Sequence, residues 1–207
     1  MTDGPFLRSQ RGHVALFTLL VSCGAPSADT PSLDAVSRNE VVATTSSAPP
    51  AATVASDNDA QRTTPRDPCV IAAVSDGDSF RCRDDRRVRL LLLDAPEMDQ
   101  APFGVQARDA LRARLRRGDT AWLEYDVRRE DRYGRTLAHV YTAARGGTHV
   151  NLAQARDGWA VAVVFPPNVR DVERIRAAVA EARAAKRGLW ANGAFTCEPI
   201  AHKRGDC

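Results

Sequence analysis

No apolar run in this 207-residue chain is long enough to cross a bilayer. The best candidate, Val14 to Val21, falls far short of the about 20 residues that a spanning helix needs. No Cys-x-x-Cys occurs, and the spacings of the five cysteines do not fit a structural zinc site. Charge of one sign is not in marked excess. Lys and Arg number 29 against 26 Asp and Glu, for a net charge of +3 and a pI near 8.7. That balance permits a polyanionic partner without demanding one. No internal repeat is visible, which removes solenoid and propeller architectures. From residue 24 to residue 67 large apolar side chains are nearly absent, and Ala, Ser, Thr, Pro and Asp dominate. Such a segment cannot bury enough surface to offset the entropy of ordering it, so it is expected to be a disordered tether.

What is present begins with a leader. Arg8, Arg11 and His13 precede the short apolar run, which ends in Leu20-Val21-Ser22-Cys23-Gly24. A basic start followed by a short apolar stretch reads as a secretory signal. A small residue directly before Cys resembles a bacterial lipoprotein cleavage site. The resemblance implies that residues 1–23 are the signal, that Cys23 is lipidated, and that the protein is exported and held to the membrane. An ordinary signal peptide cleaved nearby, giving a secreted protein, is the alternative. Cys69, Cys82, Cys197 and Cys207 remain, an even number that suits disulfides in an exported protein. Four cysteines allow three pairings. Cys69 and Cys82 flank the Asp76-Gly77 turn almost symmetrically, so a cross-strand bridge is geometrically reasonable. Cys197 and Cys207 would then close the C-terminal tail.

The folded domain is expected over residues 68–198, with a short tail at 199–207. Val70 to Val74 reads as a strand, Asp76-Gly77 as a turn, and Ser79 to Arg83 as the return strand. Val88 to Leu93 is continuously apolar, which suggests a strand buried on both faces. A helix is expected over 105–116, with Ala107, Leu111 and Leu115 as its apolar stripe and Gly118 as its stop. Alternation at Ala121, Leu123 and Tyr125 gives a fourth strand, and Leu137 to Tyr141 a fifth. Asn151 is placed to cap a short helix ending at Gly158. Ala160 to Phe165 reads as strand-like, and 171–186 as the last helix. The fold expected is mainly β with α (α+β): an OB-type five-stranded barrel with about three helices.

Three acidic and basic motifs interrupt this pattern. Asp76-Gly77-Asp78-Ser79 fills the first turn. Arg89 lies inside the apolar strand that delivers Asp94-Ala95-Pro96-Glu97 at its far end. Asp131-Arg132-Tyr133-Gly134-Arg135 follows the fourth strand. Singly, each has a bland reading as a hairpin turn, a strand exit or a charged loop. Together they are harder to dismiss. An Arg within a buried strand needs an acidic partner, and carboxylates held close together need a cation. Oxygen ligands, a spare carboxylate and two guanidinium groups are what attack on a phosphodiester by water requires.

The combination resembles the staphylococcal nuclease (thermonuclease) family, SNase-like, over 70–190. Val150-Asn151, Gly158 and Gly188-Leu189-Trp190 match as well. The resemblance implies that Asp78, Asp94 and the carbonyl of Ala95 ligate Ca2+, a hard cation suited to oxygen donors. The family usually carries Thr where Ala95 stands. Glu97 would activate or orient water, while Arg89 and Arg135 grip the scissile phosphate as electrostatic clamps. Asp76 would support the ligands, and Arg132 and Tyr133 would touch a terminal or flanking phosphate. The loop after Glu97 and the segment Val163 to Pro166 are shorter than usual. Phe165 stands where a base-cradling tyrosine is expected. The implied activity is an exported, calcium-dependent endonuclease (a hydrolase) acting as a monomer on DNA, RNA or both. The rival is a catalytically inactive OB-type module that only binds nucleic acid. A dead copy should lack one of the catalytic or metal-binding side chains, and this chain keeps Asp78, Arg89, Asp94, Glu97 and Arg135.

Overall fold

Residues 64–207 are described in this computed structural model of the chain. The leader with Cys23, and nearly all of the tether, lie outside them.

Alternation of apolar and polar side chains builds the sheet. In β1 (Asp67–Val74) Cys69, Ile71 and Val74 face the core. In β2 (Ser79–Cys82) Phe80 and Cys82 do so, and in β3 (Arg87–Leu90) Val88 and Leu90. β5 (Thr120–Glu124) and β6 (Thr136–Tyr141) contribute Ala121, Leu123, Ala138 and Val140. These five strands close into a barrel in the order β1-β2-β3-β6-β5, with β3 and β6 parallel and the other seams antiparallel. This is the OB-type arrangement of mixed α and β.

β1 begins at Asp67, so the fold starts slightly before the expected boundary at residue 68. Arg66 belongs to it as well. Its guanidinium pairs with fully buried Glu124 at 3.3 Å and stacks 3.3 Å from the Tyr141 ring centroid.

The apolar run after Arg87 is not one strand. β3 ends at Leu90, Leu92 takes a positive φ of 65°, and β4 (Leu93–Asp94) leaves the barrel to pair with β7 (Val161–Ala162). All four leucines stay buried, so the hydrophobic pattern was right while the backbone direction was hidden. The strand-like run at 160–165 shortens to the two residues of β7.

Among the described residues, four α-helices and a short 3₁₀ turn pack outside the barrel. α1 (Phe103–Arg114) starts two residues earlier than expected. α2 (Val150–Arg156) is entered from His149 rather than capped by Asn151. Asn151 turns its buried amide inward instead, accepting from the Val140 N–H at 2.9 Å and donating to the carbonyls of Leu91 and Ala138. It thereby pins α2 to the point where β3 breaks. α3 (Val172–Ala184) buries Ile175, Ala178, Val179 and Ala182, and the 3₁₀ turn spans Gly188–Trp190. Residues 199–207 are the short tail beyond the expected domain. α4 (Pro199–Arg204) occupies most of them, because Pro199 seeds the helix and Gly205 ends it in a left-handed turn. Disulfides join Cys69 to Cys82 and Cys197 to Cys207.

Candidate active site

The break at Leu92 places the acidic cluster. Because β4 turns out of the barrel, Asp94 comes back toward the β1–β2 turn that carries Asp78. Asp78 and Asp94 are almost wholly buried, and one guanidinium joins them. Arg89 donates from Nη1 to Asp78 Oδ1, and from Nη2 to Asp94 Oδ1 at 2.7 Å and the Leu93 carbonyl at 2.9 Å. Asp78 Oδ2 also accepts the Ala95 N–H at 2.6 Å, and its Oδ1 accepts the Ser79 hydroxyl at 2.8 Å. The turn itself is tied by Asp76, whose Oδ1 accepts the Asp78 N–H at 3.0 Å. Burial pushes the Asp76 carboxyl above the ordinary carboxylate range, against the lowering pull of Arg89, Ser79 and Arg135.

Gly77 makes the tight approach possible. A Cβ there would lie 2.6 Å from the Cβ atoms of both Ala95 and Ala107. The turn therefore sits flat against the β4 exit and α1. Gln154 secures it from α2, donating to the Gly77 carbonyl at 3.0 Å.

Glu97 follows β4 on the rim, its side chain 41 % exposed. Its N–H is held by Gln100 Oε1 at 2.9 Å. Arg135 stands at the end of the β5–β6 connection. Its Nε donates to Asp131 Oδ2 at 2.7 Å, and the other oxygen of Asp131 accepts the N–H groups of Tyr133 and Arg135. These bonds hold the Asp131 carboxyl below the usual carboxylate range, outweighing a burial effect in the opposite sense. Tyr133 is exposed. The guanidiniums of Arg132 and Arg135 lie 4.8 and 5.6 Å from its ring centroid, making a cationic, aromatic finger. Phe165 is also exposed, on a turn closed against Asn168. The structure brings Asp76, Asp78, Arg89, Asp94, Ala95 and Glu97 together, with Arg135 close enough to act on Asp76. It does not bring Phe165 into that hydrogen-bonded group.

One participant was invisible in the sequence. Lys203 of α4 donates to Asp94 Oδ1 at 2.9 Å and pairs with Glu97 Oε1 at 2.8 Å. Nothing in a solitary Lys near a chain end predicts such a contact. A cleft of about 620 Å³ beside it is lined by Glu97, Met98, Asp99, His202 and Lys203.

A second polar cluster lies elsewhere. His139 of β6, His149 before α2 and Asp171 before α3 offer ligand atoms within 4.8 Å of one another. Arg174 bonds Asp171 at 3.0 Å, and Tyr141 stacks on His149 with centroids 4.6 Å apart. Nearby, Arg66 and Arg170 both pair with Glu124. This ring of guanidiniums makes the cluster a polar joint between barrel and helices.

Comparison with known proteins accords with this geometry. The family model described as "Staphylococcal nuclease homologue" matches residues 87–192, and the chain belongs to that family. It is 33 % identical over 130 residues to the thermonuclease of Staphylococcus hyicus, covering 59 % of this chain and 75 % of that protein. It is 33 % identical over 129 residues to the thermonuclease of Staphylococcus intermedius, covering 58 % and 74 %. Endonuclease YhcR of Bacillus subtilis is 30 % identical over 137 residues, or 58 % of this chain and 11 % of that far longer protein. Family and relatives together support a nuclease-type function.

Proposed function

We propose that this chain is a calcium-dependent endonuclease that hydrolyses phosphodiester bonds of DNA, RNA or both. The observation that carries the reading is the convergence of Asp78 and Asp94 on Arg89, with Glu97 beside them on an open cleft. The donor set fits calcium. Asp78, Asp94 and the Ala95 carbonyl are hard oxygen donors, and among the described residues no sulfur or imidazole is bonded to this cluster. A bound calcium ion would supply Lewis-acid polarisation of a phosphate oxygen. The remaining work falls to the chain's own side chains. Glu97 is solvent-accessible and takes a proton from, or orients, the attacking water. Arg89 and Arg135 present fixed guanidinium groups to a phosphate whose negative charge grows in the five-coordinate transition state. Both serve as electrostatic clamps on the phosphate. Arg132 and Tyr133, at the tip of the cationic finger, touch neighbouring phosphates.

The direct test incubates the purified protein with DNA and with RNA, in calcium and in chelator. Cleavage in calcium that a chelator abolishes is expected. Undiminished cleavage in chelator would remove the metal from the mechanism, and binding without cleavage in calcium would favour the inactive module.

The leader extends the proposal to location: export, with a lipid anchor at Cys23. Cys23→Ser should release the protein from the membrane fraction or leave it unprocessed. Mass analysis of the mature N-terminus decides, since an unmodified N-terminus elsewhere than Cys23 would mean a freely secreted protein.

A further inference from the structure

α4 lies across the acidic cluster, and it is held there from several sides. Lys203 reaches Asp94 and Glu97. His202 Nε2 lies 3.0 Å from Asp99 Oδ1. At the head of the segment, Gln100 Nε2 donates to the Cys197 carbonyl at 3.1 Å, and Arg183 bonds Glu198. Gln100 is the same residue whose Oε1 holds the Glu97 N–H, so one side chain ties the candidate base to the root of the tail. The Cys197–Cys207 disulfide closes both ends of the segment into one loop.

We infer that this loop is a tethered competitor for the cation site: the Lys203 ammonium occupies the two carboxylates that cation and attacking water require, so cation and nucleic acid bind only once α4 has moved aside. The inference rests on the calcium-dependent reading above and adds its regulation.

Three features suit α4 to this role. The contact is electrostatic substitution, with the Lys203 ammonium beside the Arg89 guanidinium on Asp94 Oδ1, an oxygen that the cation would take. One half of the contact is weak enough to yield: Lys203 is 44 % and Glu97 41 % exposed, the regime in which an ion pair contributes little and salt screens it, while Asp94 on the other half is buried. A divalent ion, approaching carboxylate oxygens to about 2.3–2.6 Å, outcompetes a single ammonium at sufficient concentration. Finally, the tether keeps Lys203 at high effective concentration whenever the cation leaves.

Calorimetric titration with calcium chloride, on the full chain and without nucleic acid, tests this. If the closed tail predominates in the free protein, Lys203→Ala should tighten the calcium Kd by roughly three- to tenfold, because apparent affinity is reduced by the fraction of molecules able to bind. Cys197→Ser combined with Cys207→Ser should act in the same direction by loosening the loop. Asp94→Asn should abolish binding in either background. Amide hydrogen exchange provides a second readout. Saturating calcium should accelerate exchange across α4 in the wild-type protein, and Lys203→Ala should do so without calcium. Equal calcium affinity in wild type and Lys203→Ala, or unchanged protection of α4 in calcium, would overturn the competitor while leaving the nuclease reading intact. No calcium binding to any variant would overturn both.

Discussion

Glu97 and Arg135 are the side chains whose loss should separate chemistry from folding. Both lie on the rim, and neither fills the core. Glu97→Gln preserves shape and removes the carboxylate proposed as proton acceptor. Arg135→Lys preserves charge and loses the planar fork that Asp131 orients. Each should lower turnover by roughly 100-fold with little change in melting temperature, measured on one preparation by cleavage assay and thermal denaturation. Wild-type rates in either variant would argue for the binding module. Gly77 is the opposite case. Gly77→Ala forces a methyl group to within 2.6 Å of Ala95 and Ala107, an overpacking that costs about 1–3 kcal/mol. Because the displaced turn carries Asp78, denaturant titration should show lost stability and calcium titration should show weakened binding together. A stability loss with unchanged calcium affinity would mean that Asp78 does not follow the turn.

Among the elements, the hinge between β3 and β4 decides whether the site exists. Asn151 satisfies three backbone groups around it, and all are buried. Asn151→Ala removes this partner from the Val140 N–H and the Leu91 carbonyl, at about 1–3 kcal/mol for each group left unsatisfied, while the Ala138 carbonyl keeps the Leu91 N–H. The variant should unfold at clearly lower denaturant concentration than wild type, and loss of less than about 1 kcal/mol would show that solvent replaces the amide. This hinge also marks the limit of what the sequence discloses. The barrel strands, α1 and α3 were legible because alternation and helical spacing report burial directly. A run of four leucines reports burial equally well whether the chain runs straight or turns. The positive φ at Leu92 is imposed by what surrounds it, including the Asn151 clamp, and leaves no local signal. The carboxylates and arginines were legible as motifs because their spacing is local. Lys203 was not, since its partners lie about a hundred positions away and only the closed fold brings them near.

For the molecule as a whole, acid is the predicted weakness. His139 is fully buried in the joint between barrel and helices. Burial, then His149 and Arg170, hold its pKa down to about 3, against the weaker opposite pull of Asp171 and Asp126. The folded-state pKa lies below the ordinary 6.5, so between these values the unfolded chain binds the extra proton. Stability from this group is complete above about pH 6.5 and is lost as pH falls toward 3, at up to about 1.4 kcal/mol per pH unit. Melting temperature followed across that window should fall, and His139→Leu should flatten the dependence. An unchanged slope in the variant would assign the acid sensitivity to other groups. The Cys69–Cys82 bridge acts independently of pH. Replacing both cysteines by Ser should cost about 3 kcal/mol through the freed unfolded chain, read by denaturant titration.

The parallel seam between β3 and β6 has a consequence in time rather than in space. Val88, Arg89 and Leu90 pair with Thr136, Leu137 and Ala138, so the barrel closes by joining strands far apart in the chain. Such long-range closures come late and slow the folding of small β-rich domains. All the acidic residues of the cluster precede β6 in synthesis. A chain halted before Thr136 therefore carries the carboxylates of the cluster without the seam that closes the barrel around them. On the reading proposed here, a chain that has not yet made β6 would hold the carboxylates without the closed barrel that positions them, and would not cut the nucleic acid it meets.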